Sequence, residues 1–348
     1  MAGDRAPNGD KKLGIGIVGL GWVTHEHIKG WLKDKRCQIV ALASHSRENA
    51  LAYQQKYGLT SARLYTDWED LMRDEQVDVV DICSMNHLHV PQGIAAAEAG
   101  KHVLLEKPAA IDLEGLRRLT ATVEKAKVKS MVAFVLRWSP YFESVREMIA
   151  GDFFGKIFYA ECDYYSGNWD KWLAGLKWTM TKEKGGSGIL TAGIHAVDAL
   201  RQFVTADPVE VFAYADNFSK VMEWNPTVAS LIRFADGTIG RHATVLEGNC
   251  NYQFDVRLHG PKGMLINERF MTHYLPGQTD LASFPTIMAN TPNVEHYPFD
   301  KEVSHFATCV LEDRIPLTDL KDAVKTHEIC FAAELSALEG KPVRLPLG

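Results

Sequence analysis

The sequence predicts an α/β chain in two units: first a parallel sheet interleaved with helices, then an α+β unit built on an open, mostly antiparallel sheet. Three observations carry this. The first third alternates short β-branched runs with longer amphipathic stretches, the pattern of strands joined by crossover helices. A glycine pair, Gly19-Leu20-Gly21, directly follows the first apolar run and opens a helical stretch. From about residue 156 the alternation shortens to period two, and Asp236-Gly237 separates two such runs as a hairpin turn, because glycine takes the positive φ that such turns need.

In chain order, strands are expected at 13–18, 38–43, 77–83, 102–105 and 130–134, with helices such as 46–57, 90–99 and 112–127 between them. Alternating strands then fall at 156–166, 209–217, 228–235, 238–246 and 252–260. Helical patterns at 191–204, 304–311 and 319–338 are expected to cover one face of that second sheet and leave the other for a partner subunit. The division is 10–130 for the first unit and 131–348 for the second. The polar stretch 1–12 lacks an apolar signal core and reads as a short disordered lead.

Composition narrows the partners. A chain of 348 residues is long for one core and suits two. Its net charge of -6, with no concentrated basic stripe, gives no electrostatic reason to expect nucleic acid or an acidic membrane surface. No apolar run reaches the length needed to cross a bilayer. Six cysteines are scattered without CxxC pairs, which argues against a zinc ribbon or a stapled secreted fold and favours a cytoplasmic protein with reduced thiols.

The string Gly14-Ile15-Gly16-Ile17-Val18-Gly19 matches G-x-G-x-x-G literally but lies inside the strand. The working loop is Gly19-Leu20-Gly21-Trp22-Val23-Thr24, whose amides and helix dipole suit a pyrophosphate, as in a Rossmann dinucleotide-binding domain. Thr24 stands where a third glycine usually permits close helix packing. The next strand ends in Ser44-His45-Ser46-Arg47 instead of the acidic residue that binds ribose hydroxyls in NAD enzymes. Hydroxyls and a guanidinium there suit a ribose phosphate, so the cofactor is NAD or NADP with a lean towards NADP. A plain polar turn with Ser46 as helix N-cap is the competing reading. At the end of the strand 102–105, Glu106-Lys107-Pro108 would place an ammonium beside a nicotinamide.

In these motifs the chain resembles the Gfo/Idh/MocA family, the glucose-fructose oxidoreductase and inositol dehydrogenase group. The resemblance rests on the glycine loop, the segment Asp81-Ile82-Cys83-Ser84-Met85-Asn86-His87-Leu88-His89, the segment from Gly100 to Pro108, Arg137-Trp138, and the lead into His195. It implies a substrate cleft between the two units, and homodimers or homotetramers through the C-terminal sheet. It places Lys107 near the nicotinamide and the reacting hydroxyl, with Ser84, Asn86, His89, Glu106 and Arg137 on the cofactor side. His195 matches the family's histidine, and an imidazole can accept a substrate proton near neutral pH. Four residues earlier the family commonly has aspartate, whereas this chain has Thr191, which supplies no negative charge. Asp198 is a possible contact to His195 or the sugar.

The aromatic stretch with Tyr164, Tyr165, Trp169, Trp172 and Trp178 could stack on carbohydrate rings, or simply fill a core. From it Tyr165, Trp169, Asp170 and Trp178 are candidate substrate contacts. His87 and His89 lack the further ligands of a metal site, so no metal is expected. The expected activity is an NAD(P)-dependent dehydrogenase or reductase of a sugar, glycoside or cyclitol. Two alternatives are a glycosidase working through transient ring oxidation and a nucleotide sensor without turnover.

Overall fold

The computed structural model describes residues 12–167, 177–286 and 297–348. Residues 1–11, expected to be a disordered lead, and the candidates Trp169 and Asp170 lie outside the described residues, as does Trp172.

The first sheet contains β1 (Leu13–Val18), β2 (Cys37–Ala43), β3 (Arg63–Tyr65), β4 (Val79–Ile82), β5 (His102–Leu105) and β6 (Ser130–Val132), in the order 3-2-1-4-5-6. All its pairings are parallel. Every residue of β1 and β4 is buried, as expected of strands covered by helices on both faces. The order reverses between β1 and β4, so the crevice at their carboxyl ends is where such a sheet receives a ligand. Strand β3 escaped the sequence reading because three half-exposed residues carry no periodicity.

The second sheet contains β7 (Tyr159–Tyr165), β8 (Pro208–Asp216), β9 (Thr227–Phe234), β10 (Ile239–Val245), β11 (Gln253–Gly260), β12 (Gly263–Ile266), β13 (Arg269–Thr272), β14 (Ala282–Ser283) and β15 (Val343–Arg344). Their order is 14-13-12-11-7-10-9-8-15, antiparallel throughout except where β7 meets β10. Burial alternates along β9, so one face packs inward and the other is open. Helices Ile194–Phe203 and Leu320–Glu339 cover the inner face. The outer face leaves Tyr214, Leu231 and Ile239 exposed.

One late helix, expected at 304–311 to cover the second sheet, instead crosses back to the first unit, where it finds an apolar partner. Helix Phe299–Leu311 packs on helix Thr24–Lys33, which follows β1, and Val303, Phe306 and Ala307 join the same apolar cluster as Ile15, Ile28 and Trp31. The approach is close because Gly30 faces it: a Cβ there would sit 2.9 Å from Val303 Cγ2. No helix among the described residues is long and apolar enough to cross a membrane, and all six cysteines carry free thiols.

Candidate active site

A cleft of about 780 Å³ opens at the carboxyl ends of β1, β4 and β5 and runs across to the second sheet. Its floor begins with the glycine loop. Gly19 holds φ of 85°, and a Cβ there would lie 2.5 Å from Ser84 Cα, so two reasons independently require glycine. Gly14, by contrast, is a packing glycine, since its Cβ would meet the Gln76 carbonyl at 1.8 Å. Thr24 has a use that its glycine counterpart could not serve: its hydroxyl donates to the Gly19 carbonyl at 2.8 Å and accepts from the Gly21 amide at 3.1 Å. The departure from the glycine pattern therefore braces the loop. Gly21 faces open space, and Trp22 and Val23 continue the lining into the helix N-terminus, an arrangement that fits a pyrophosphate.

At the end of β2, Ser44, His45 and Asn49 line the cleft. Ser44 Oγ lies 3.4 Å from both the Ser46 amide and Asn49 Nδ2, which donate to it. Ser46 caps its helix by accepting from the Asn49 amide at 3.2 Å, and it lies outside the lining, as does the exposed Arg47.

Beyond β4, Ser84 Oγ donates to Gln92 Oε1 at 2.6 Å, and Asn86 Nδ2 donates to the Gly185 carbonyl at 2.8 Å. His89 is buried with its ring nitrogens 2.7 Å from the Pro108 carbonyl and 3.1 Å from the Ser84 carbonyl, so it ties the ends of β4 and β5 together. The Lys107-Pro108 peptide is cis. The next amide, Ala109, donates to His327 Nε2 at 2.9 Å, fixing the turn from the far helix as well.

Lys107 Nζ donates to the Thr191 carbonyl at 2.7 Å. Burial lowers its pKa, and Glu106 opposes that shift. Thr191 belongs to a wide π turn, Ile189–Gly193, that leads into helix Ile194–Phe203. Its hydroxyl donates to the Gly185 carbonyl at 3.1 Å, so it is engaged away from His195, while its carbonyl takes the lysine. His195 lines the same cleft, and burial, helped by the Lys107 charge, holds its pKa well below the usual imidazole value. Its Nδ1 is buried without a hydrogen-bond partner among the described residues. A neutral imidazole follows.

Three expectations change on the structure. Arg137 and Asp198 lie outside the cleft lining and face each other: Nε and one Nη donate to Asp198 at 2.8 and 2.6 Å, and the same Nη reaches Asp322 at 2.6 Å. Both are buried, so this is an ion network between helices, with no free group for cofactor or sugar. Tyr165 also lies outside the lining and donates to Asp163 at 3.0 Å, while its neighbours Tyr164 and Ser166 line the cleft. Strand alternation explains the swap, since adjacent residues point to opposite faces. Trp178 lines the cleft. Sequence reading missed Tyr252 and Tyr297, whose hydroxyls meet at 2.7 Å on the cleft wall. They stand far apart in the chain with no local pattern to pair them.

The comparisons with known proteins bear on the family and the fold. Residues 13–134 match the oxidoreductase family with NAD-binding Rossmann fold, and residues 142–266 match the GFO/IDH/MocA C-terminal domain. The 1,5-anhydro-D-fructose reductase of Ensifer adhaerens is 30% identical over 76% of this chain and 79% of its own length. The inositol 2-dehydrogenase of Rubrobacter xylanophilus is 24% identical over 73% of this chain and 70% of its own. Among solved structures, the WlbA dehydrogenase from Bordetella pertussis, in complex with NADH and UDP-GlcNAcA, superimposes with a TM-score of 0.83 at 22% identity, covering 97% of this chain and 100% of that one.

Proposed function

This chain belongs to the GFO/IDH/MocA family of NAD-binding oxidoreductases, and on that premise we propose that it moves a hydride between nicotinamide and a hydroxyl or keto carbon of a sugar, glycoside or cyclitol. The observation that carries the reading is the shared cleft of Lys107 and His195, which are 88 positions apart in the sequence yet border one cavity beside the glycine loop. Bound nicotinamide supplies the hydride chemistry. Gly19, Gly21, Trp22, Val23 and Ser44 would hold the cofactor, with Ser84, Asn86, His89 and Glu106 lining its inner side.

Within that cleft Lys107 exchanges the proton of the reacting oxygen. A lysine whose pKa is lowered by burial can lose its proton nearer physiological pH than a solvated one. His195, held neutral, accepts a hydrogen bond from the same hydroxyl and aligns it. Its imidazolium would find no carboxylate at Thr191 to stabilise it, so the lysine carries the charge change. Tyr164, Tyr252, Tyr297 and Trp178 offer faces for a carbohydrate ring. The free thiols support a reducing compartment, the cytoplasm.

The test incubates the purified protein with NAD or NADP and a panel of neutral sugars, glycosides and inositols, following nicotinamide absorbance and product identity together. Stoichiometric cofactor reduction with appearance of a keto sugar is expected. Bond cleavage without net absorbance change would instead support elimination chemistry.

The exposed side of the second sheet, with Tyr214, Leu231 and Ile239, supports assembly as a homodimer or homotetramer. Light scattering is expected to give a mass at least twice that of the chain, and Leu231→Glu is expected to lower it. A monomer at micromolar concentration would reject this surface.

A further inference from the structure

Behind the cleft, and reaching it through Glu106, lies a buried group of ionisable side chains of which His27, Asp81 and Glu302 have no part in the proposed chemistry. His27, on the helix after the glycine loop, is wholly buried. Its Nδ1 lies 3.0 Å from Asp81 Oδ2, and its Nε2 lies 3.1 Å from Glu106 Oε1. With both carboxylates ionised, a ring held between them donates from both nitrogens, which is the imidazolium form. Asp81 gains two further donors, Trp31 Nε1 at 2.7 Å and the Cys83 thiol at 3.5 Å. The second oxygen of Glu106, Oε2, accepts the backbone amide of Lys107 at 3.1 Å. One carboxylate thus joins a buried cation to the turn that carries Lys107.

We propose that His27 is a positioning residue for Lys107, acting through Glu106: lodged between two carboxylates, its ring fixes the Lys107 turn and divides the Glu106 charge between itself and the ammonium. This rests on the reading of Lys107 as the proton-exchanging group. The network keeps near-neutral charge in a buried region. Two carboxylates, Asp81 and Glu106, are matched by His27 and Lys107. Glu302, from helix Phe299–Leu311, is the fifth member, and burial, with Glu106 and Asp81, holds its pKa well above the usual carboxyl range against the pull of His27. Burial disfavours charge on His27 too, but Asp81 outweighs it and the pKa stands well above the ordinary imidazole value. Around Lys107 itself, Glu106 faces it from its own turn, His195 from helix Ile194–Phe203 and His89 from helix His89–Glu98.

The sign of the coupling makes it testable. Removing the His27 charge leaves Glu106 to stabilise the ammonium alone, so the Lys107 midpoint rises. Removing the Glu106 charge takes away the stabilising partner, so it falls. A purely packing role predicts no such opposition. Competitive acetylation of the full-length protein with acetic anhydride across pH, read by mass spectrometry at Lys107, measures that midpoint without any substrate. His27→Gln is expected to raise it, and Glu106→Gln to lower it, each by roughly half to one pH unit. Shifts of the same sign, or none, would overturn the inference. Nitrogen-15 NMR of the unmodified protein gives a second reading that needs no variant: His27 is expected to show an imidazolium at pH 8, and a neutral ring would overturn the inference equally. Failure of the function reading would appear elsewhere, as full turnover by a Lys107 variant.

Discussion

Replacing Lys107 with methionine is expected to lower kcat about a thousandfold while leaving NAD affinity within about threefold, a loss in the range set by removing a positioned proton-transfer group. Methionine keeps the length and bulk of the side chain, so the packing around β5 survives. What disappears is the Nζ donor to the Thr191 carbonyl, worth about 1 kcal/mol net, together with one of the two cations near Glu106, which keeps His27; no longer burying an ammonium offsets this. Stability should therefore change little and turnover greatly. Lys107→Arg is expected not to rescue, because a guanidinium holds its proton throughout the accessible pH range. The proposed cofactor cradle rests on the glycine loop, which this substitution does not touch. Turnover of the wild-type substrate at an undiminished rate by Lys107→Met, measured by nicotinamide absorbance, would reject the assignment.

Arg137→Met is expected to destabilise the fold by about 3 kcal/mol without altering cofactor affinity. Breaking a buried ion pair from one side typically costs about 3–5 kcal/mol, because the surviving charge is left uncompensated. Here the survivor is Asp198, almost fully buried, but it keeps Thr326 Oγ1 at 3.1 Å and Gln202 Nε2 at 3.2 Å as donors. Those two bonds place the effect at the lower end. Asp322 retains Arg201 at 2.9 Å and is less affected. Urea denaturation followed by fluorescence measures the loss, and titration with NADH measures binding. A variant as stable as the parent but impaired in binding would return Arg137 to the cofactor side.

How much of this was legible in the sequence differs by element. Strands β1, β2, β4 and β5 were readable because buried parallel strands are continuous apolar runs, and Asp236-Gly237 announced its hairpin through the backbone freedom of glycine. Gly19, Lys107 and His195 were readable because each sits at a fixed place relative to a strand or helix end. The pairing of Tyr252 with Tyr297, and of His27 with Glu106, was not, since both depend on contacts between segments remote in sequence. Arg137 and Asp198 show the converse: polar residues near recognisable motifs satisfied each other. Tyr165 failed by one position of strand parity, which the aromatic composition of the stretch could not resolve. Thr24 and Thr191 stand out in the sequence as departures from a pattern, but only the geometry shows their hydroxyls bonded to the carbonyls of Gly19 and Gly185.

Helix Phe299–Leu311, seated against Gly30, has a consequence for how the chain matures. When the ribosome has released the sixth strand, the nucleotide-binding half still lacks part of its outer coat, and Ile28 and Trp31 wait for Val303 and Phe306 to be synthesised. The first half is thereby completed by a segment lying far downstream of its own last strand, so its apolar coat closes only after most of the second sheet has been made.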